Sequence, residues 1–390
     1  MRKLCLILAL LGAGGPALAA AELPPKLAVT LDGEAQVVFD WSRQACETWD
    51  IPDASARAFR DASGTVHLIA THFVNRAAVG PDLDSLRHDC TKIFEGDRQD
   101  APDKFDDRAW LSGFFTEDGQ TVYALVHNEF QGHQRPALCP SKTYIRCWRN
   151  AVTFALSHDG GRSFRQPAPP SHLIATPPYP YEGDFGRHVG YFAPTNIIRR
   201  DGAYFALFSA AAYRDQAWGA CLMRTERLDD PASWRAWDGK AFAVRFANPY
   251  RDDIGDPARH VCQPVGKGRL MDPLGGIVRH EPSGAYIVVM AGIRQGRSGI
   301  YAAASWDLIA WSEPQLVWQA PIRGVGGECP PATHDYPALI DPKSADRNFA
   351  TVGAQADLYF TAQNLRDCRV GPDRDLLRRS VRIEVEANTP

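Results

Sequence analysis

The feature that most constrains this chain is a strand–turn–strand unit that can be laid over itself five times along the sequence. Each unit begins with an apolar strand candidate, passes through an acidic or glycine-containing turn, and enters a second strand rich in aromatics. The first runs from Ala58-Phe59-Arg60 through Asp61-Ala62-Ser63-Gly64 into Val66-His67-Leu68-Ile69. The second has Gly113-Phe114-Phe115, the turn Glu117-Asp118-Gly119 and Val122-Tyr123-Ala124-Leu125-Val126. The third spans 191–198, the turn Asp201-Gly202 and Tyr204-Phe205-Ala206-Leu207-Phe208. The fourth has Gly275-Gly276-Ile277-Val278, the turn Pro282-Ser283-Gly284 and Tyr286-Ile287-Val288-Val289-Met290. The fifth has Tyr336-Pro337-Ala338-Leu339-Ile340, an insertion, and Asp357-Leu358-Tyr359-Phe360. Helix-period stretches are missing, so the pattern is that of an all-β chain.

A multi-strand unit recurring every 50–80 residues or so predicts a β-propeller, because a single blade cannot bury its own faces and must pack around an axis. Five units predict a five-bladed β-propeller over 45–390, after a signal peptide at 1–20 and an N-terminal extension at 21–44. A pair of β-sandwiches is the rival architecture, but it does not explain the repeated spacing.

The signal rests on Arg2 and Lys3, the short apolar run from Leu4 to Leu11, and the small-residue exits Ala17-Leu18-Ala19 and Ala19-Ala20-Ala21. That run is too short to span a bilayer, which needs about 20 residues. The chain is thus expected to be exported by a bacterium, to the periplasm or the medium, with no membrane span. Of nine cysteines, Cys5 leaves with the signal, and the even remainder predicts up to four disulfides. Only Cys139 with Cys147 is paired by proximity. A net charge of -3 with no basic block argues against nucleic acid as a partner.

The stretch Ser157-His158-Asp159-Gly160-Gly161-Arg162-Ser163-Phe164 resembles the Asp-box of sialidase-type propellers. Ser305-Trp306-Asp307-Leu308-Ile309-Ala310-Trp311 resembles a turn common in five-bladed furanosidase-type propellers, the arabinanase, xylosidase and invertase group. These turns are structural in those families, so they speak for fold more than for chemistry. The resemblance implies catalytic acids projecting into a funnel at the axis. Asp53 stands ahead of the first turn glycine as the base or nucleophile of that group does; a turn Asp after Pro52 is the plainer reading. Asp272, in Leu270-Met271-Asp272-Pro273, resembles the group's Asp-Pro element, where an Asp holds a sugar hydroxyl or tunes the acid. Glu328-Cys329-Pro330, 56 residues later, resembles the Glu-Cys-Pro that carries the general acid. Here, however, these two belong to units four and five, whereas in the invertase group such elements open earlier blades. No set of three arginines stands at unit starts, which disfavours sialic acid.

Glu129, in His127-Asn128-Glu129-Phe130, follows an apolar strand and is a candidate acid or sugar ligand that His127 would orient; an ordinary loop carboxylate is the plainer reading. His334 and Asp335 precede the fifth unit's first strand, where side chains face the axis; a capping turn is the alternative. Tyr191, Phe192, Thr195 and Asn196 open the third unit, and its aromatics suit either a sugar face or the core. Tyr179-Pro180-Tyr181 and the insertion 75–107 are expected to rim the funnel, or the latter to be a surface loop anchored by Cys90. The resulting expectation is an exported propeller that hydrolyses a carbohydrate with paired carboxylates, without a cofactor but with room for a structural calcium ion. A non-catalytic propeller binding glycan or protein is the alternative, and a lyase or other hydrolase on the same scaffold a third.

Overall fold

The computed structural model describes residues 23–270, 274–323 and 329–387, and these form a β-propeller built almost wholly of strands. The signal at 1–20 lies outside the described residues. The first sheet runs Arg57–Arg60, Val66–Ile69, Val74–Gly80, Arg87–Glu95 in chain order. The second starts at Arg108–Phe115 and continues through Val122–Gln131 and Trp148–Ser157. There it joins Val189–Phe192 by a short parallel pairing, Val189 with Arg149 and Gly190 with Asn150, and continues antiparallel through Ala203–Ala210 and Gly219–Thr225. A third sheet holds Leu274–His280, Tyr286–Arg294, Arg297–Ser305 and Gln315–Gln319. The last combines Ala332–Ile340, Gln355–Arg366 and Arg369–Glu386 with the N-terminal strand Lys26–Phe39.

That final pairing corrects the expected extension at 21–44. Lys26 to Asp32 pairs residue by residue with Glu386 to Ser380, so both chain ends close one sheet. The insertion 75–107 is likewise no loop in its first half. It supplies the two outer strands of the first sheet, masked in the sequence by the charged residues of Arg87–Glu95.

Central strands such as Val122–Gln131 are buried along nearly their whole length, because neighbouring sheets cover both faces. The turns follow their chemistry. Asp201 and Gly202 both have positive φ, 49° and 76°, as a two-residue hairpin turn matched to strand twist requires. In the Ser157 turn, Ser157 Oγ donates to Asp159 Oδ1 at 2.7 Å and accepts from Gly161 N at 2.8 Å. The Ser305 turn repeats this with Asp307 Oδ1 at 3.1 Å and Leu308 N at 2.9 Å. Phe164 and Trp311 are buried beneath these turns.

Side chains tie one sheet to the next. Asn75 Nδ2 donates to Ala109 O at 2.8 Å and its Oδ1 accepts from Leu111 N at 2.8 Å. Asn196 does the same to Ile277, with 2.7 and 2.9 Å, and Asn348 to Thr116, with 2.9 and 2.7 Å. Arg57 donates to Ser112 O at 2.9 Å and Gly275 O at 3.0 Å. A Cβ at Gly275 would meet Pro337 O at 2.1 Å, so only glycine lets these inner strands touch.

Four cysteine pairs stand at disulfide distance, with Cα–Cα of 5.6 Å for Cys46–Cys90, 6.0 Å for Cys139–Cys147, 6.0 Å for Cys221–Cys262 and 5.1 Å for Cys329–Cys368.

Asn196→Ala leaves two buried backbone groups of Ile277 unpaired, each costing about 1–3 kcal/mol. The expected outcome is a urea midpoint lowered accordingly, with an unchanged m-value.

Candidate functional site

A cavity of about 570 Å³ opens at one end of the axis. Its walls come from the chain entering the first sheet (Asp53, Ser55, Arg57) and from Trp110, Ser112, His127 and Glu129 of the second sheet. Trp148, Phe192 and Pro194 continue the wall, and Arg323, Asp335 and Tyr336 complete it. Inner strands break register beside it, between Leu111 and Gly113, Leu274 and Ile277, and Asp335 and Ala338. Neighbours on a regular strand face opposite sides. Asp335 and Tyr336 both reach the cavity because the register break coincides with a left-handed φ of 55° at Tyr336.

Asp53 is paired with the buried guanidinium of Arg374, accepts from the Tyr336 hydroxyl at 3.1 Å, and lies 3.8 Å from His72 Nε2. Burial opposes its ionisation, but the charges of Arg374, His72 and Arg323 outweigh that and hold it below the usual carboxylate range. Asp335 goes the other way. Burial dominates, the pull of Arg323 and a 2.8 Å bond from Tyr336 N offset it only partly, and its carboxyl is pushed up. Two acids in one cavity are thereby driven apart, the condition for one to be a carboxylate while the other carries a proton.

Glu129 comes from a different sheet. Ala193 N donates to His127 Nδ1 at 3.0 Å, so the ring proton sits on Nε2 and donates to Glu129 Oε1 at 3.1 Å. Gln131 Nε2 donates to the other oxygen at 2.9 Å. The backbone of Ala193 takes a left-handed φ of 41° to make its contact. Trp110, Trp148 and Phe192 supply flat apolar surface between these polar groups; Trp148 and Phe192 meet edge to face at 5.7 Å.

The structure thus brings together Asp53, Glu129, Asp335 and His127. It does not bring in Tyr191, Asn196 or His334. Tyr191 is fully buried and its hydroxyl donates to Gln216 Oε1 at 2.9 Å. Strand alternation sends Phe192 to the cavity and its neighbour Tyr191 to the core. Alternation separates His334 from Asp335 in the same way, leaving the His334 ring against Trp318 at 4.6 Å. Asn196 spends its amide on Ile277. Asp272 and Glu328 lie outside the described residues. Tyr181 donates to Cys147 O at 2.9 Å, next to the wall residue Trp148, and Tyr179 donates to Asp215; neither tyrosine lines the cavity itself. Sequence reasoning missed Arg374, Tyr336, Trp110 and Trp148. Tyr336 had a signal, as the residue after Asp335; Arg374 had none, being 321 residues from its partner.

Among the described residues, Cys46, Asp50 and His88 stand close enough to hold a metal. They do not fit one, because Cys46 is paired with Cys90 and Asp50 Oδ2 is bonded to His88 Nε2 at 2.7 Å.

No protein-family model matches the sequence, and no curated protein matches it. Among solved structures the chain is similar to a thermostable family-43 glycoside hydrolase, with a TM-score of 0.45 at 10% identity over 86% of this chain and 94% of that one. It is also similar to an α-L-arabinanase from Cellvibrio cellulosa, with 0.45 at 14% over 84% and 90%. A sucrose-6-phosphate hydrolase from Lactobacillus gasseri gives 0.48 at 11% over 87% and 62%.

Removing one partner of a buried ion pair costs about 3–5 kcal/mol. Arg374→Met is expected to lower stability by that amount at pH 7. Because the pair depresses the folded-state pKa of Asp53, its contribution is present above the ordinary value of 3.8 and is lost as pH falls through the depressed one. Denaturation curves of the two proteins should therefore converge in strong acid.

Proposed function

We propose that this chain is a glycoside hydrolase, a five-bladed propeller that cleaves a glycosidic bond with carboxylates at the cavity end of its axis. The observation that carries the reading is the convergence of Asp53, Glu129 and Asp335 on one aromatic-walled cavity. Glycoside hydrolysis needs one carboxyl protonated and another ionised, placed about a single bond. Asp53, kept anionic by Arg374, acts as base or nucleophile. Asp335, whose hold on its proton is strengthened by burial, donates to the leaving oxygen. Glu129, held by His127 and Gln131, binds sugar hydroxyls at the adjoining wall.

Five blades follow from dividing the long sheet at its short parallel join. The Ser157 turn is read as an Asp-box, since its serine and aspartate organise the hairpin over a buried aromatic. Export follows from the segment 1–20 together with four cysteine pairs suited to an oxidising compartment. Among the described residues no helix is long and apolar enough to cross a membrane. The chemistry proposed requires no cofactor.

The test is an aryl-glycoside panel covering furanosides and pyranosides. Wild-type protein is expected to release the aryl group from at least one member, and Asp53→Asn to lose about 10²–10⁴-fold in kcat/KM. A protein that binds sugar without cleaving any member would be a lectin-like propeller.

The pH profile is a second check. Activity rises as Asp53 ionises, below the ordinary carboxylate value, and falls as Asp335 loses its proton, above it. Asp335→Asn is expected to remove the alkaline limb while lowering the maximum.

A further inference from the structure

A loop at the cavity mouth has no role in the chemistry above. Cys139 and Cys147, eight residues apart in sequence, close it, and a single 3₁₀ turn, Tyr144–Arg146, forms its tip. Tyr144 and Ile145 on that turn are 41% and 43% exposed, large side chains left partly open to water. The tip is braced. Arg146 Nε donates to both oxygens of Asp184 at 2.9 Å, and Cys147 O accepts from Gly132 N at 3.2 Å and from the Tyr181 hydroxyl at 2.9 Å.

The exposed surface is continuous with the cavity. The Tyr144 ring stacks on Trp148 at 4.9 Å and 15°, and Trp148 and Ile145 are themselves cavity walls. The Tyr144 hydroxyl ends 3.5 Å from Glu129 Oε2. A partly exposed aromatic ring, packed on Trp148 and met by His133 at 5.0 Å, is thus held beside the pocket, with a phenol and a carboxylate along one edge. That combination fits a ring with an apolar CH face and a hydroxyl rim, which loses water from the face and bonds at the rim.

We propose that the Cys139–Cys147 loop is the platform for a second sugar unit, so that the protein takes an oligosaccharide chain instead of a single sugar. The inference rests on the carbohydrate reading above. The ring at the reacting bond lies between Asp53 and Asp335. The next ring passes Glu129 and lies on Tyr144, with Ile145 at its side. The loop is short and its cysteines are buried, so the disulfide, by limiting the conformations of the turn, presents the platform before the chain arrives. Reduction of this one bond releases the platform and weakens chain binding.

Calorimetric titration tests this with xylose, arabinose and fructose and their linear tetrasaccharides as probes. Wild-type protein is expected to bind one tetrasaccharide at least about tenfold more tightly than its monosaccharide, the gain of one good aromatic contact. Tyr144→Ala should bring that ratio below about twofold without changing monosaccharide affinity, and Tyr144→Phe should retain most of it. The double variant Cys139→Ser with Cys147→Ser should behave as Tyr144→Ala, with an unchanged far-ultraviolet circular dichroism spectrum. A tenfold ratio that survives Tyr144→Ala overturns the platform and leaves the carbohydrate reading standing, as does a wild-type protein that binds monomer and tetramer equally. Failure to bind any probe overturns both.

Discussion

The inner edge of every sheet presents backbone N–H and C=O groups toward an axis where water is scarce, and unpaired groups there are costly. Much of the molecule is organised around satisfying them. Asn196 there, and Asn75 and Asn348 elsewhere, each place a side-chain amide against another sheet, using oxygen and nitrogen together as a strand partner would. Arg57 does the same for two carbonyls on different sheets, and burial brings its guanidinium pKa down to about 9. These ties let the sheets converge without a continuous ladder. They also leave the mouth of the axis open, since a tie at one level frees the strand to bulge at the next.

The bulges turn this architectural constraint into a chemical opportunity. Where register breaks, adjacent residues share a face, so Asp335 and Tyr336 enter the cavity together. The same crowding that buries Asp335 and raises its pKa buries Asp53. For Asp53 the charges of Arg374, His72 and Arg323 outweigh burial, whereas for Asp335 those of Arg323 and Arg374 offset it only in part. One cavity thus separates two like groups by a difference in partners. Arg374 reaches Asp53 because the last sheet is built from both ends of the chain, which sets Arg369–Glu386 beside the segment entering the first sheet.

Much of the strand content was legible because apolar and aromatic runs bounded by Asp-Gly and Ser-Gly turns have few alternatives. The strand Arg87–Glu95 was hidden by its charges, which are tolerable on an outer strand exposed to solvent. Lys26–Phe39 was hidden because its partner lies at the other end of the chain. Within the site, Asp53, Glu129 and Asp335 were legible as acids at strand ends. Tyr191 and His334 were misplaced by one residue of alternation each, an error that a period of two makes total, since the neighbouring position faces the opposite way.

By itself the sequence determined an all-β chain with repeated units, the turns that join them, eight cysteines beyond the first 20 residues and the short list of acids from which the site is drawn. These are local matters, set by side-chain period, by backbone preference at glycine and aspartate, and by composition. Tertiary structure alone decided which acids meet, which of them holds its proton more tightly, how the cysteines other than Cys139 and Cys147 pair, and that Tyr144 stands at the mouth. Those outcomes depend on distances between residues remote in sequence and on how much water each group retains, and neither quantity exists before the sheets close around the axis.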